Sequence, residues 1–304
     1  MLKFPAQKSG NMYQSPYDRG LRTYPDHMKR KSQTASELAF LLLLVFLCSP
    51  LWPSMDTDNL KRSKLTAGDI MAEYHTQRNS RNERSRLTMK LMDSRYRERS
   101  RKLEQITITD SDGNQKMLII VQEPEDIRGT AFLIVEHSQS DNDQWLYLPA
   151  LRRVRRVLPN EKSDSFLGSD FSYTDLETEN LDHYKYRLLG EDSLDGNHCW
   201  IIEARPADEK TLQETGYGKR ELWIRSDNFV GLQTRFFDKK ERPVKLFRAL
   251  NVSAVNHSQK WRAYRLEMKN LESGHRTIIL YENFKIDQGV PDWIFTRAYL
   301  ERRK

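Results

Sequence analysis

Two strand-length runs, "KMLIIVQ" at residues 116–122 and "TAFLIVEH" at 130–137, are apolar at odd and even positions alike. Side chains on a strand alternate between the two faces of its sheet. In the first run Met117, Ile119 and Val121 therefore point one way and Leu118 and Ile120 the other; in the second, Ala131, Leu133 and Val135 oppose Phe132 and Ile134. An antiparallel sheet with one wet face would alternate apolar with polar. Here both faces of the sheet have to leave water, and the rest of the chain must supply the cover.

The surrounding sequence supplies mostly more strands. The pattern predicts them over 101–109, 115–123, 130–137, 144–149, 184–190, 198–205, 219–226, 230–237, 244–253, 260–270 and 276–286. Turn signals separate them, among them "DSDGN" at 110–114, "EDSLDGN" at 191–197, "SDN" at 226–228 and "DKKERP" at 238–243. Short strands joined by tight turns imply an antiparallel meander and not βαβ units. Residues 81–102 read as an irregular first strand region and turn. Helical patterns are scarce: 66–80, where Thr66 and Asp69 can form a capping box, a short one near 170–178, and "PDWIFTRAYLERR" at 291–303. Two architectures satisfy these patterns. One is a sandwich or closed barrel filled by its own side chains; the other is a curled sheet whose inner face holds an apolar ligand beneath helical cover.

The N-terminal region reads differently. "LAFLLLLVFLC" at 38–48 follows "MKRKS" and precedes Pro50 and Pro53. An apolar run of this length suits the h-region of an export signal better than a membrane span, which needs roughly 18 residues or more. Residues 1–56 are expected to be an N-terminal extension and a signal peptide or retained anchor, with Met28 a natural start for a signal of ordinary length. Residues 57–304 are expected to form one domain. The N-terminal 56 residues hold seven of the 50 Lys and Arg and four of the 43 Asp and Glu, so the remainder carries a net charge of only +4. That is no electrostatic case for nucleic acid. Cys199 is the one cysteine in 57–304, which leaves no internal disulfide; "HCWIIEA" reads it as a small buried hydrophobe.

No catalytic constellation emerges. The chain has no HExxH, CxxC or GxSxG, and "ETGYGKRE" lacks the first glycine and the hydroxyl residue of a phosphate loop. Ser169 follows Gly168, but it reads as the approach to a helix that it or Asp170 would cap. Glu177 and Glu179 lie in a polar run and read as solvated. The reading is therefore of a protein that is not an enzyme, with no metal and no cofactor.

One local feature is left over. "LRRVRRVLP" packs Arg152, Arg153, Arg155 and Arg156 into five positions, with Val154 and Val157 three apart, a spacing that fits neither a clean strand nor a helix. A bulged edge strand or a twisted loop accommodates it. Charged side chains guard sheet edges against aggregation; alternatively, such a cluster would grip an anionic lipid headgroup or phosphate, or dock an acidic partner.

"DQWLYLPALRRVRRV" followed by "SFLGSDFSYTDLE" resembles the signature of the outer-membrane lipoprotein-sorting protein family, the larger relatives of the LolA and LolB carriers. The resemblance runs from about residue 65 to the C-terminus. Trp145, Tyr147, Leu148 and Pro149 match the first motif and Arg152, Arg153, Arg155 and Arg156 its basic end. Gly168, Ser169, Asp170, Phe171, Ser172, Tyr173 and Asp175 match the second. The resemblance implies a mainly β (α+β) fold, a curled antiparallel half-barrel of about eleven strands, with a few short helices plugging an apolar cavity. It further implies a periplasmic carrier that binds the acyl chains of a lipid or lipoprotein and works with an RND-type membrane transporter. Trp145, Tyr147, Leu148, Phe166, Phe171 and Tyr173 are then expected at the cavity. Arg152, Arg153, Arg155, Arg156 and Asp170 are expected to contact a headgroup or a partner.

Overall fold

The computed structural model describes residues 65–138, 140–255 and 260–303. The apolar run at 38–48, Cys48 and the alternative start Met28 lie outside them. Helix α1 (Ala67–Arg78) opens the described chain, and its start is the predicted capping box. Thr66 Oγ1 accepts from Asp69 N at 3.2 Å, and Asp69 Oδ2 accepts from Thr66 N at 2.8 Å.

Thirteen strands follow: β1 (Asn82–Met92), β2 (Glu98–Thr109), β3 (Gln115–Glu123), β4 (Ala131–Val135), β5 (Asp143–Leu148), β6 (Arg153–Arg156), β7 (Tyr184–Leu194), β8 (Asn197–Pro206), β9 (Lys219–Arg225), β10 (Gly231–Phe237), β11 (Pro243–Ala254), β12 (Trp261–Asn270) and β13 (Arg276–Ile286). They form a single antiparallel sheet in the order β6-β5-β4-β3-β2-β1-β13-β12-β11-β10-β9-β8-β7, curled and not closed. Two meanders, β1–β6 and β7–β13, join where β1 pairs with β13. The sheet has two more strands than the sequence pattern marks. The first is β1, which was expected to be irregular. It alternates buried Leu87, Met89 and Leu91 with more exposed Arg86, Thr88 and Lys90, the period of a strand despite its basic composition. The second is β6, the arginine segment, which forms one edge of the sheet.

The two-faced strands are accounted for by different partners on each side. Val121, Phe132 and Ile134 join the concave cluster with Leu87, Met89 and Ile119. Leu118, Ile120, Ala131 and Leu133 face outward onto Ile294, Phe295 and Leu300. The C-terminal segment that buries them is a single 3-10 turn (Asp292–Ile294) and the short helix α3 (Arg297–Glu301). It covers the convex face of the sheet, so it is not among the elements that plug the cavity.

Helix α1 sits on the concave side of the other meander, with Ile70 and Met71 packed on Trp200, Ile202, Leu222 and Ile224. Gly231 on β10 permits this approach, since a Cβ there would lie 2.9 Å from the Tyr74 ring. Cys199 is fully buried, and burial pushes its thiol pKa up to about 11, which matches a packing role.

Candidate ligand-binding cavity

Consecutive strands are sheet neighbours except at one step: β6 and β7 are the two opposite edges of the sheet. Residues 157–183 join them, and this strap carries the "GSDFSYTD" motif. The expected helix near 170–178 is instead a chain of 3-10 turns, including Thr174–Leu176. Ser169 caps no helix N-terminus; it closes the 3-10 turn Phe166–Gly168, and its hydroxyl bonds the backbone of Phe171. Helix α2 (Glu209–Thr215) lies beside the strap, capped by Asp208, whose carboxylate accepts from Thr211 N at 2.7 Å.

Beneath the strap and α1 the curled sheet encloses a cavity of about 380 Å³, within the range that holds small-molecule ligands. Its apolar wall comes from Leu87, Met89, Leu103, Met117 and Ile119 in the first meander, and from Phe236, Phe247, Leu266, Met268 and Ile279 in the second. Phe166 and Phe171 of the strap face it from above.

The strap is held by buried polar contacts. Lys162, 5% exposed, lies 3.3 Å from Glu177 and 3.1 Å from Glu214 on α2. Burial alone would lower the Lys162 pKa, but the two carboxylates outweigh it and the net shift is upward. Glu179 pairs with Arg220 on β9 and accepts from the Tyr186 hydroxyl. Lys245 on β11 lies 3.3 Å from Asp175 and donates to Tyr217 Oη at 2.7 Å. Asp170 is fixed at the far end by Thr277, whose hydroxyl donates to its carboxylate at 2.7 Å and accepts from its N–H at 2.9 Å. Burial raises the pKa of Asp170, of Glu177 and of nearby Glu136. Glu177 and Glu179, which the sequence suggests are solvated, are thus half-buried anchors. Their cationic partners lie on other elements, and a polar run gives no sign of them.

The residues singled out by sequence separate into three groups. Phe166 and Phe171 line the cavity. Tyr173 and Leu148 join the concave cluster outside the cavity lining; Tyr173 closes an aromatic triangle with Phe132 and Phe166, ring centroids 5.2–5.9 Å apart. Trp145 and Tyr147 point away from the cavity to the convex face, because Gln144 and Leu146 occupy the inward positions of β5. The Tyr147 hydroxyl bonds the Arg303 carbonyl, and Trp145 lies against the guanidinium groups of Arg156 and Arg297, at 5.9 and 5.0 Å.

Arg152, Arg153, Arg155 and Arg156 are exposed at the β6 edge, and none lines the cavity. Arg155 pairs with Glu161 at 2.8 Å and Arg156 with Asp143 at 2.5 Å. Their valines also fall into place. An odd spacing on extended chain reverses the face, so Val154 packs outward and Val157 inward. Among the described residues no group of three or more His, Cys, Asp and Glu side chains is placed to hold a metal ion, and no helix is long and apolar enough to cross a membrane.

Residues 113–302 match a family model described as an uncharacterized protein. No curated protein matches the chain. Among solved structures, a domain described as an outer membrane lipoprotein-sorting protein from Vibrio parahaemolyticus is 27% identical. The match covers 78% of this chain and 98% of that one, with a TM-score of 0.72. A DUF1329 family protein from Desulfovibrio piger is 28% identical over 77% of this chain and 97% of that one, also at 0.72. A LolA superfamily protein from Nitrosomonas europaea, 21% identical over 77% and 99%, shares the fold at 0.61. A half-barrel with strap and cavity, matched over almost the whole length of these structures, places the chain in the LolA-like family of outer-membrane lipoprotein-sorting proteins.

Proposed function

We propose that residues 57–304 act as one non-enzymatic carrier domain, exported to the periplasm by the N-terminal segment, which takes up an acyl chain of a lipid or lipoprotein and passes it between envelope partners. The observation that carries this reading is the cavity of about 380 Å³ on the concave face, walled by side chains from both meanders and roofed by Phe166 and Phe171. Each buried methylene contributes about 0.8 kcal/mol to capture. Release requires the roof to open, which breaks the strap's polar contacts together with the packing of Phe166 and Phe171. An RND-type transporter is the membrane partner that the family resemblance implies. Protein purified without detergent and measured by native mass spectrometry should carry co-purified lipid. Delipidated protein should bind a fluorescent fatty-acid probe, and failure to bind it would count against the carrier reading.

A second reading concerns partners. The exposure of four arginines along one sheet edge, away from the cavity, favours docking of an acidic membrane partner there over contact with a bound headgroup.

A further inference from the structure

Four Lys and Arg side chains among the described residues line the cavity. Three have carboxylate partners: Lys162 with Glu214 at 3.1 Å, Arg262 with Glu83 at 2.8 Å, and Arg220 with Glu179. Arg78, in the last turn of α1, has none among the described residues. Its guanidinium lies 5.6 Å from the centre of the Tyr74 ring and reaches the Tyr74 hydroxyl from Nη1 at 3.4 Å. A guanidinium carries five N–H donors, so most of those on Arg78 are left for whatever fills the cavity.

The carboxylates that act on Arg78 electrostatically, Glu136 and Glu179, are already engaged. Glu136 accepts from the backbone N–H groups of Gln115 at 2.9 Å and Thr178 at 2.7 Å, and Glu179 holds Arg220 and the Tyr186 hydroxyl. The neighbouring histidine on the same helix, His75, is held neutral near pH 7, as burial and then the Arg78 charge lower its pKa to about 4. Arg78 itself is exposed, and the helix end that carries it is held in position. Arg262 on β12 donates to the carbonyls of Gln77 and Arg78 at 3.2 and 3.0 Å, which ties the end of α1 to the sheet. The cavity is polar at this end, where Gln105, Thr107 and Tyr281 also line it. Six residues farther along β12, about 20 Å at ~3.3 Å per residue, Met268 lines the cavity together with Phe171 and Phe247.

We propose that Arg78 is the anion-binding pole of the cavity and that the ligand is a single-chain amphiphile. Its carboxylate or phosphate head would be held by the Arg78 fork, and its tail would run toward Met268 and Phe171. The inference rests on the carrier reading and adds the headgroup class and the ligand's direction. It separates the headgroup site from the arginine cluster on β6, none of whose side chains lines the cavity.

Delipidated wild-type protein, Arg78→Gln and Arg78→Lys are titrated with oleate, oleoyl lysophosphatidate and the uncharged methyl oleate. Arg78→Gln should weaken the anionic probes about tenfold or more, the scale of a lost charge-assisted contact, and leave methyl oleate within about twofold of wild type. Arg78→Lys should recover part of the loss. Whichever anionic probe loses more identifies the head as carboxylate or phosphate. Met268→Trp, which narrows the tail end, should weaken all three probes alike. Equal binding of charged and uncharged probes by Arg78→Gln and wild type overturns the assignment of Arg78 while leaving the carrier reading intact. If wild type binds none of the probes, both fall.

Discussion

His75 and Arg78 stand one turn apart on α1 and differ in what surrounds them. Arg78 opens onto the cavity, whereas His75 is 8% exposed and its Nε2 has no partner. An imidazole so placed stays neutral, and its pKa falls from 6.5 to about 4. The unfolded chain takes up this proton as pH drops below 6.5, while the folded protein refuses it until about pH 4. The unfolded state therefore binds more protons across that window and gains relative to the native state. His75 should contribute to stability in full above pH 6.5 and lose about 3 kcal/mol of it by pH 4. Urea unfolding of wild type and His75→Phe from pH 7 to 4 measures this. The difference between the two proteins should change by that order, and parallel profiles would show that His75 does not titrate as described.

At the scale of elements, the two pieces of irregular chain that cover the sheet differ in how much polar anchoring they carry. The strap buries Val157, Phe166, Phe171 and Tyr173 in the concave cluster and adds ion pairs and hydrogen bonds around them. The C-terminal segment is fastened to the convex side by apolar contact, with Ile294, Phe295 and Leu300 on Leu118, Ile120 and Leu133. The convex cover lies on packed core and the strap lies over the cavity, so the strap is the cover that has to lift for a ligand to enter. Leu300 is fully buried. Leu300→Ala should cost about 2–5 kcal/mol in urea unfolding and protect fewer β3 and β4 amides from hydrogen exchange, without altering fatty-acid binding. A loss under 0.5 kcal/mol would mean that the segment does not hold that face.

At the scale of the molecule, an open sheet has two functional surfaces, an interior and an edge. None of the four β6 arginines lines the cavity, so binding and docking should be separable by mutation. Replacing Arg152, Arg153, Arg155 and Arg156 together by Gln should leave fatty-acid uptake unchanged. The two surface pairs lost with them, Arg155–Glu161 and Arg156–Asp143, are worth roughly 0–1 kcal/mol each. Binding to an acidic envelope partner, measured by pull-down from solubilised membranes, should fall. Unchanged partner binding with lost lipid uptake would reverse the assignment of the two surfaces.

The repeating part of the fold was legible without coordinates. Strand period, turn residues and the two-faced runs at 116–122 and 130–137 are local signals, set by which side of the backbone each side chain leaves. The capping box of α1 is equally local, and the paired motif identified the family. What lay across the sheet was not legible. Whether Trp145 and Tyr147 or their neighbours face the cavity depends on which side of β5 becomes concave, and strand period defines two faces without saying which one curls inward. Glu177 and Glu179 looked solvated because their partners, Lys162 and Arg220, meet them only when the strap crosses from one sheet edge to the other. The exposure of Arg78 to the cavity likewise arises only when α1 docks on β8–β10 and Arg262 ties its end to β12. Pairing of charges over such separations is decided by the closed tertiary arrangement, because only there are water and alternative partners excluded.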